Sequence, residues 1–200
     1  MSVELFTRCF VGIYFLLIGL LFTGRSLGLS SRTGFSHIHY GRAGSGPWWN
    51  RNLFNAFRAA ILLVSVLRIG LPVDPWLGII EPLYAAPVLL LGVGLLLVAF
   101  IGINYLQAYM HEDWRSGIDP THPPKLLTTG PWARSRNPMF MTIMLGQLGF
   151  FLALPSLFSL VCLVVGVVVL RRQALAEETS LEALYGTDYN QYREQVPRWL

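Results

Sequence analysis

The apolar positions of this chain fall into five runs, and the polar positions gather between them. Residues 5–22, 53–71, 83–109, 139–154 and 156–170 are dominated by Leu, Ile, Val, Phe, Gly and Ala. A membrane-crossing helix needs about 20 mostly apolar residues, with a range of about 17–25. The first run qualifies, and so does the second, although it holds Arg58 and Arg68. The third is long enough to tilt or to project beyond the bilayer. The last two are short, and only Pro155 separates them, which predicts a tight helical hairpin that crosses and returns. The pattern predicts an all-α polytopic membrane protein with about five transmembrane helices. Residues 1–110 would hold three spans, and residues 111–200 would form a second unit of loop, hairpin and C-terminal amphipathic segment.

Charge strengthens this picture. Twelve of the 15 Lys and Arg residues lie in 23–52, 111–137 and 171–200. Five crossings place these three segments on one side, and the connections around 73–81 and at Pro155 carry no Lys or Arg. Basic loops face the cytoplasm, so the N-terminus is expected outside and the C-terminus inside. The net charge of +4 then reports orientation rather than a nucleic-acid partner. Only 13% of residues are charged, against about a quarter in soluble domains. Glu4 precedes the first apolar run and no small-residue cleavage site follows it, so the first span is expected to be retained. Arg8, Arg58 and Arg68 lie within or beside spans and are expected to snorkel. Arg58 is also a candidate for holding an anionic substrate headgroup.

Other features point away from chemistry. Cys9 and Cys162 lie in apolar runs and read as small buried hydrophobes. His37, His39, His111 and His122 read as polar loop residues, and no metal is expected. The glycine-rich 41–46, GRAGSG, lacks the Lys-Ser/Thr of a phosphate-binding loop and reads as a flexible linker.

Two polar segments are more elaborate. In 111–140, Pro120, Pro123, Pro124, Pro131 and Pro138 stiffen the chain. Gly130 before Pro131 predicts a tight turn. Pro138 suits the first position of a helix, with Asn137 as its N-cap. In 171–200 the last span continues into water with Leu175, Leu181, Leu184 and Tyr185 on one face. Gly186 is the expected stop, Asp188 and Gln191 resemble a capping box for a further turn, and Tyr189, Tyr192 and Trp199 would form an aromatic belt. Because a hairpin returns, the two segments must meet in space, as a cofactor site requires.

The residues that carry a resemblance are GPW-x3-RNPMF at 130–140 and EE-x2-L-x2-LYG-x2-Y-x2-Y-x3-VPRWL at 177–200. Order and spacing resemble the isoprenylcysteine carboxyl methyltransferase family and the wider phospholipid methyltransferase-like group, over roughly residues 111–200. The resemblance implies S-adenosyl-L-methionine as methyl donor and a lipophilic or lipid-linked acceptor, isoprenylcysteine carboxylate-like, within membrane lipid. By position it implies cofactor contacts from Pro124, Lys125, Leu126, Leu127, Trp132, Asn137, Pro138, Met139, Phe140, Glu177 and Glu178. Arg136 and Glu177 are the implied catalytic pair. The chain departs from the family pattern where Trp132 and Phe140 replace Tyr, and where Asn137 replaces the His of eukaryotic members. The position four before Glu177 resembles one that carries a substrate-binding Arg, yet here it is Gln173, with Arg172 one residue earlier. Arg172, Gln173 and Arg58 are therefore the substrate-binding candidates. The small homologues look bacterial, which implies a bacterial inner membrane. An NADPH-dependent membrane reductase of the sterol reductase type and a non-catalytic membrane protein are the competing readings.

Overall fold

The computed structural model describes residues 2–117, 122 and 125–200. Six α-helices follow one another: α1 (Val3–Thr33), α2 (Gly46–Gly70), α3 (Ala86–Met110), α4 (Pro138–Ala153), α5 (Leu157–Tyr185) and α6 (Thr187–Gln195). No strand occurs among the described residues. Helices α1, α2, α3 and α5 are long and apolar enough to cross a membrane, and α4 is a shorter apolar helix. At about 1.5 Å per residue, its 16 residues extend about 24 Å, a little short of the hydrocarbon thickness. The chain is an integral membrane protein with an all-helical fold.

Helix ends follow local chemistry. Ser2 caps α1 by accepting the Leu5 amide, and Ser45 caps α2 by accepting the Trp48 amide. Ser156 and Ser159 form a reciprocal capping box at the start of α5. Gly34, at φ 78°, ends α1 in the left-handed region. Helix α1 therefore runs 11 residues past its predicted end, and α2 begins seven before its predicted start. Polar residues 23–33 and 46–52 complete these helices above the apolar zone, so the predicted 23–52 loop shrinks to residues 34–45.

Helix α4 runs antiparallel to α3, and small residues bring the two together. A Cβ on Gly92 would lie 2.2 Å from the Ala153 amide nitrogen and 2.7 Å from the Gly149 carbonyl oxygen. Gly102 faces Thr142 farther along the same contact. Between apolar helices in lipid, such close approach supplies the van der Waals gain that hydrophobicity cannot. The predicted hairpin partner α5 also packs on α4, and a Cβ on Gly166 would collide with Gln147. The core gathers Val11, Tyr14, Ile61, Leu77, Leu96, Phe150, Leu154 and Cys162. The Tyr14 hydroxyl donates to the Leu96 carbonyl at 3.0 Å inside it. Cys162 is buried, as expected of a small hydrophobe.

The two ends of the bundle are built differently. At one end the loop after α2 joins the α4–α5 turn. The Ile80 amide donates to Pro155, and the Leu157 and Phe158 amides donate to Gly78 and Leu77. Here Asp74 accepts from Arg8 at 2.7 Å and from Arg68 Nη2 at 3.1 Å. Arg68 is 2% exposed. Expected to snorkel, Arg8 and Arg68 instead converge on a carboxylate, since an unpaired buried guanidinium would be costly. The Arg58 guanidinium lies 4.4 Å from the centre of the Phe22 ring. At the other end, residues 37–39 pair with Ser116. The His39 amide donates to the Ser116 carbonyl, and the Ser116 amide donates to that of His37. His37 is fully buried rather than a surface loop residue.

Candidate active site

Three sequence elements meet at this second end: the loop 125–137, the end of α5, and α6 with the residues after it. Glu178 joins them. Its Oε1 accepts from Asn137 Nδ2 at 3.1 Å and from Arg198 Nε at 2.8 Å. Its Oε2 accepts from Arg136 Nη2 at 3.2 Å and Arg198 Nη2 at 3.1 Å. The Arg198 pair is bidentate, the stronger geometry for guanidinium and carboxylate. Backbone bonds reinforce it. The Arg136 amide donates to the Pro197 carbonyl, the Ser135 hydroxyl donates to Arg198, and Tyr192 donates to the Trp132 carbonyl at 2.7 Å.

This arrangement revises two local expectations. Asn137 occupies the N-cap position of α4 but makes no capping bond, because its amide turns to Glu178 and to the Arg198 carbonyl at 3.3 Å. Asp188 and Gln191 make no capping box, because Gly186 is the N-cap of α6 and has no side chain to cap with. Gly186 does stop α5, at φ 52°. Tyr189 and Tyr192 are buried against Val196, Leu126, Leu181 and Tyr185 rather than arrayed as an interfacial belt. Burial pushes the Tyr192 phenol up to about 12.

Beside this clasp lies a cavity of about 140 Å³. Lys125, Leu126, Leu127, Trp132, Arg136, Asn137, Glu177 and Glu178 all line it, together with Asp113, Leu181, Tyr189 and Tyr192. Pro138, Met139 and Phe140 form the first turn of α4 and are not among the lining residues. Pro124 lies outside the described residues. Trp132 is fixed by stacking on Tyr109, with ring centres 5.5 Å apart. Gly130, at φ 59°, lets that stack form, since a Cβ there would meet the Tyr109 hydroxyl at 2.6 Å. The GPW turn thus seats an aromatic wall.

The two adjacent glutamates divide. A step of one residue on a helix turns about 100°, so Glu178 faces the clasp while Glu177 accepts from Gln173 at 2.9 Å. Arg136 therefore pairs with Glu178 and not with Glu177. Arg172 is exposed. Gln173 lines a second cavity with Arg51 and Arg42. Arg58 appears in the lining of neither. Sequence reasoning missed Arg198, Tyr189 and Tyr192 as parts of the site and Asp113 in its lining. No cluster of His, Cys, Asp or Glu able to hold a metal occurs among the described residues.

The structure is that of a polytopic membrane protein whose loop, long helix and tail line a cavity at one end. The family model for phospholipid methyltransferase matches residues 83–188, from the start of α3 into α6, and the chain belongs to that family. No curated protein and no solved structure matches it. Membership makes it a membrane methyltransferase.

Proposed function

We propose that this methyltransferase uses S-adenosyl-L-methionine and methylates a lipophilic or lipid-linked acceptor at the end of the bundle that carries the Glu178 clasp. The observation that carries the reading is a pair of unanswered polar atoms at the cavity. Arg136 Nε and the Tyr189 hydroxyl are buried and have no hydrogen-bond partner among the described residues, and both side chains line the cavity. Buried polar groups are normally satisfied, and a polar ligand seated against these side chains would satisfy them. The remaining lining fits the donor chemically. Carboxylates of Asp113 and Glu177 suit its amino group and hydroxyls, and aromatic faces such as Trp132 suit a cation.

When bound, the donor supplies an electrophilic methyl, which the acceptor's lone pair takes while the sulfur–carbon electron pair returns to sulfur. The protein's own part is orientation and exclusion of water. The main chain of Lys125, Leu126 and Leu127 offers donors and acceptors along one wall. Trp132 closes another, and Glu177 supplies a carboxylate that no arginine neutralises by direct contact among the described residues. Arg136, Asn137 and Glu178 hold these walls at fixed spacing. Pro138, Met139 and Phe140 contribute through the start of α4. On this reading 111–200 is the methyltransferase core and 1–110 supplies the first three spans. We assign the N-terminus to the outside and the C-terminus to the cytoplasm of a bacterial inner membrane, from the distribution of Lys and Arg.

The experiment is calorimetric titration of detergent-purified protein with S-adenosylhomocysteine and, separately, NADPH. Micromolar binding of the first alone is expected. Binding of NADPH alone, or of neither by folded protein, would refute the assignment.

A further inference from the structure

The second cavity, of about 230 Å³, lies where the family pattern leads one to expect a substrate arginine and finds Gln173. Its walls come from the N-terminal half: His39, Gly41, Arg42, Ser45, Pro47 and Arg51, with Gly117 and Gln173 completing it. Gly117 also lines the first cavity, and Gln173 donates to Glu177, which lines the first as well. The two spaces are neighbours, separated by one glutamine–glutamate pair. The lining side chains of the second include two guanidinium groups and no carboxylate.

Arg51 is held rather than loose. Its Nη1 donates to the Ser116 hydroxyl at 2.6 Å, and its guanidinium lies 5.3 Å from the centre of the Tyr40 ring. Its buried Nε has no hydrogen-bond partner among the described residues. A part-buried guanidinium with its Nε unpaired and no carboxylate in direct contact gains a partner when an anion arrives. Ser116, which orders Arg51, is the residue that pairs with 37–39, and Gly117 beside it lines both cavities.

Resting on the methyltransferase reading above, we propose that Arg51 and Arg42 form an anion subsite for the methyl acceptor. They hold a phosphate or carboxylate group of the acceptor beside the methyl-transfer cavity. The N-terminal half thereby supplies the cation that Gln173 does not. Selectivity for an anionic acceptor then resides on α2 and the loop before it, outside the C-terminal core.

The test uses the purified full chain in a non-ionic maltoside, titrated by calorimetry with dodecyl phosphate, dodecanoate and S-adenosylhomocysteine in separate runs. At least one of the two anions should bind the wild type. Arg51→Gln should weaken that binding by about tenfold or more, the scale of one lost charge-assisted hydrogen bond. Arg51→Lys should recover part of the loss. Arg42 is exposed on a loop, so Arg42→Gln tests the site without disturbing the fold. It should weaken anion binding while S-adenosylhomocysteine binds as in the wild type. Dodecyl phosphate binding alone assigns a phosphate-bearing acceptor, and dodecanoate alone a carboxylate. The proposal is overturned if wild-type protein that binds S-adenosylhomocysteine binds neither anion, or if Arg42→Gln and Arg51→Gln bind anions like the wild type. Arginine-dependent anion binding by protein that does not bind S-adenosylhomocysteine would instead refute the cofactor reading and leave the anion subsite in place.

Discussion

Replacing Glu178 by Ala removes the carboxylate through which the long helix holds both the loop and the tail. Four hydrogen bonds disappear at once, from Arg136, Asn137 and both donor positions of Arg198. The Arg136 side chain is 8% exposed, so its guanidinium is left largely dry and without a carboxylate. A hydrogen bond to a charged group contributes about 1.5–3 kcal/mol. The Arg198 side chain is 35% exposed, and water recovers much of its loss, so that pair counts for about 1 kcal/mol or less. Together these give about 3–5 kcal/mol, the range expected for breaking a buried ion pair from one side. The loss should be local. Core packing among α1, α3, α4 and α5 does not include Glu178, so the spans should stay folded while 130–137 and 187–200 come apart. Hydrogen exchange in detergent should show those two segments losing protection together, with α3 and α4 unchanged. Affinity for S-adenosylhomocysteine should fall by about a hundredfold, as roughly 3 kcal/mol of preorganisation is lost. Unchanged exchange in both segments would refute the clasp, and exchange in only one would show that Glu178 does not join them.

Three further outcomes are expected. Gly130→Ala should weaken S-adenosylhomocysteine binding with little change in thermal midpoint. It places a methyl group 2.6 Å from the Tyr109 hydroxyl and so tilts Trp132, and calorimetry would read the change. Gly92→Val should lower the unfolding midpoint sharply, by about 3 kcal/mol or more of lost packing, because a Cβ cannot occupy the α3–α4 contact; thermal unfolding in detergent checks it. Burial alone would raise the Asp74 carboxyl, but the hydrogen bond and charge of Arg68 and the charge of Arg8 outweigh it and hold it below the usual carboxylate value. Its stabilisation is therefore complete above its unfolded value, near pH 4, and is lost as pH falls through the lower folded value. Asp74→Asn should be less stable than wild type at pH 7, and the difference should shrink in an acid titration.

What was legible in the sequence followed from long-range composition. The spans, the hairpin turn at Pro155 and the stop at Gly186 rest on apolar run length and on residues with one strong local preference. The helix extensions over 23–33 and 46–52 were not legible, because apolarity marks where a helix meets lipid and not where it ends. Side-chain partners were harder still. Asn137 reads as a cap because local bonding is the default for Asn, but a carboxylate 41 residues later offers a charged acceptor and wins. Tyr189 and Tyr192 read as interfacial for the same reason that they are buried: one apolar face and one hydroxyl, which in Tyr192 is satisfied by Trp132. Arg8 and Arg68 read as snorkelling because Asp74 stands after the span and joins them only when the loop folds back.

The contrast between the two ends of the bundle explains where activity can reside. At the Asp74 end, both arginines have carboxylate partners, the turn serines satisfy one another, and backbone bonds from 77–80 seal the α4–α5 turn. The Ser65 hydroxyl, one turn before Arg68, is buried without a partner among the described residues, but both arginines are paired. At the Glu178 end the basic groups outnumber the carboxylates that touch them, and Arg51 Nε, Arg136 Nε and the Tyr189 hydroxyl are buried without partners among the described residues. Unsatisfied groups cost stability in the empty protein. They can be kept only if the rest of the fold supplies a surplus, which the sealed end and the close α3–α4 contact provide. The same groups then favour a bound ligand, since each gains the bond it lacks. Stability and recognition thus occupy opposite ends of one helical bundle, and the adjacent glutamates of α5 mark the boundary. Glu178 belongs to the framework, and on the proposed reading Glu177 faces the ligand.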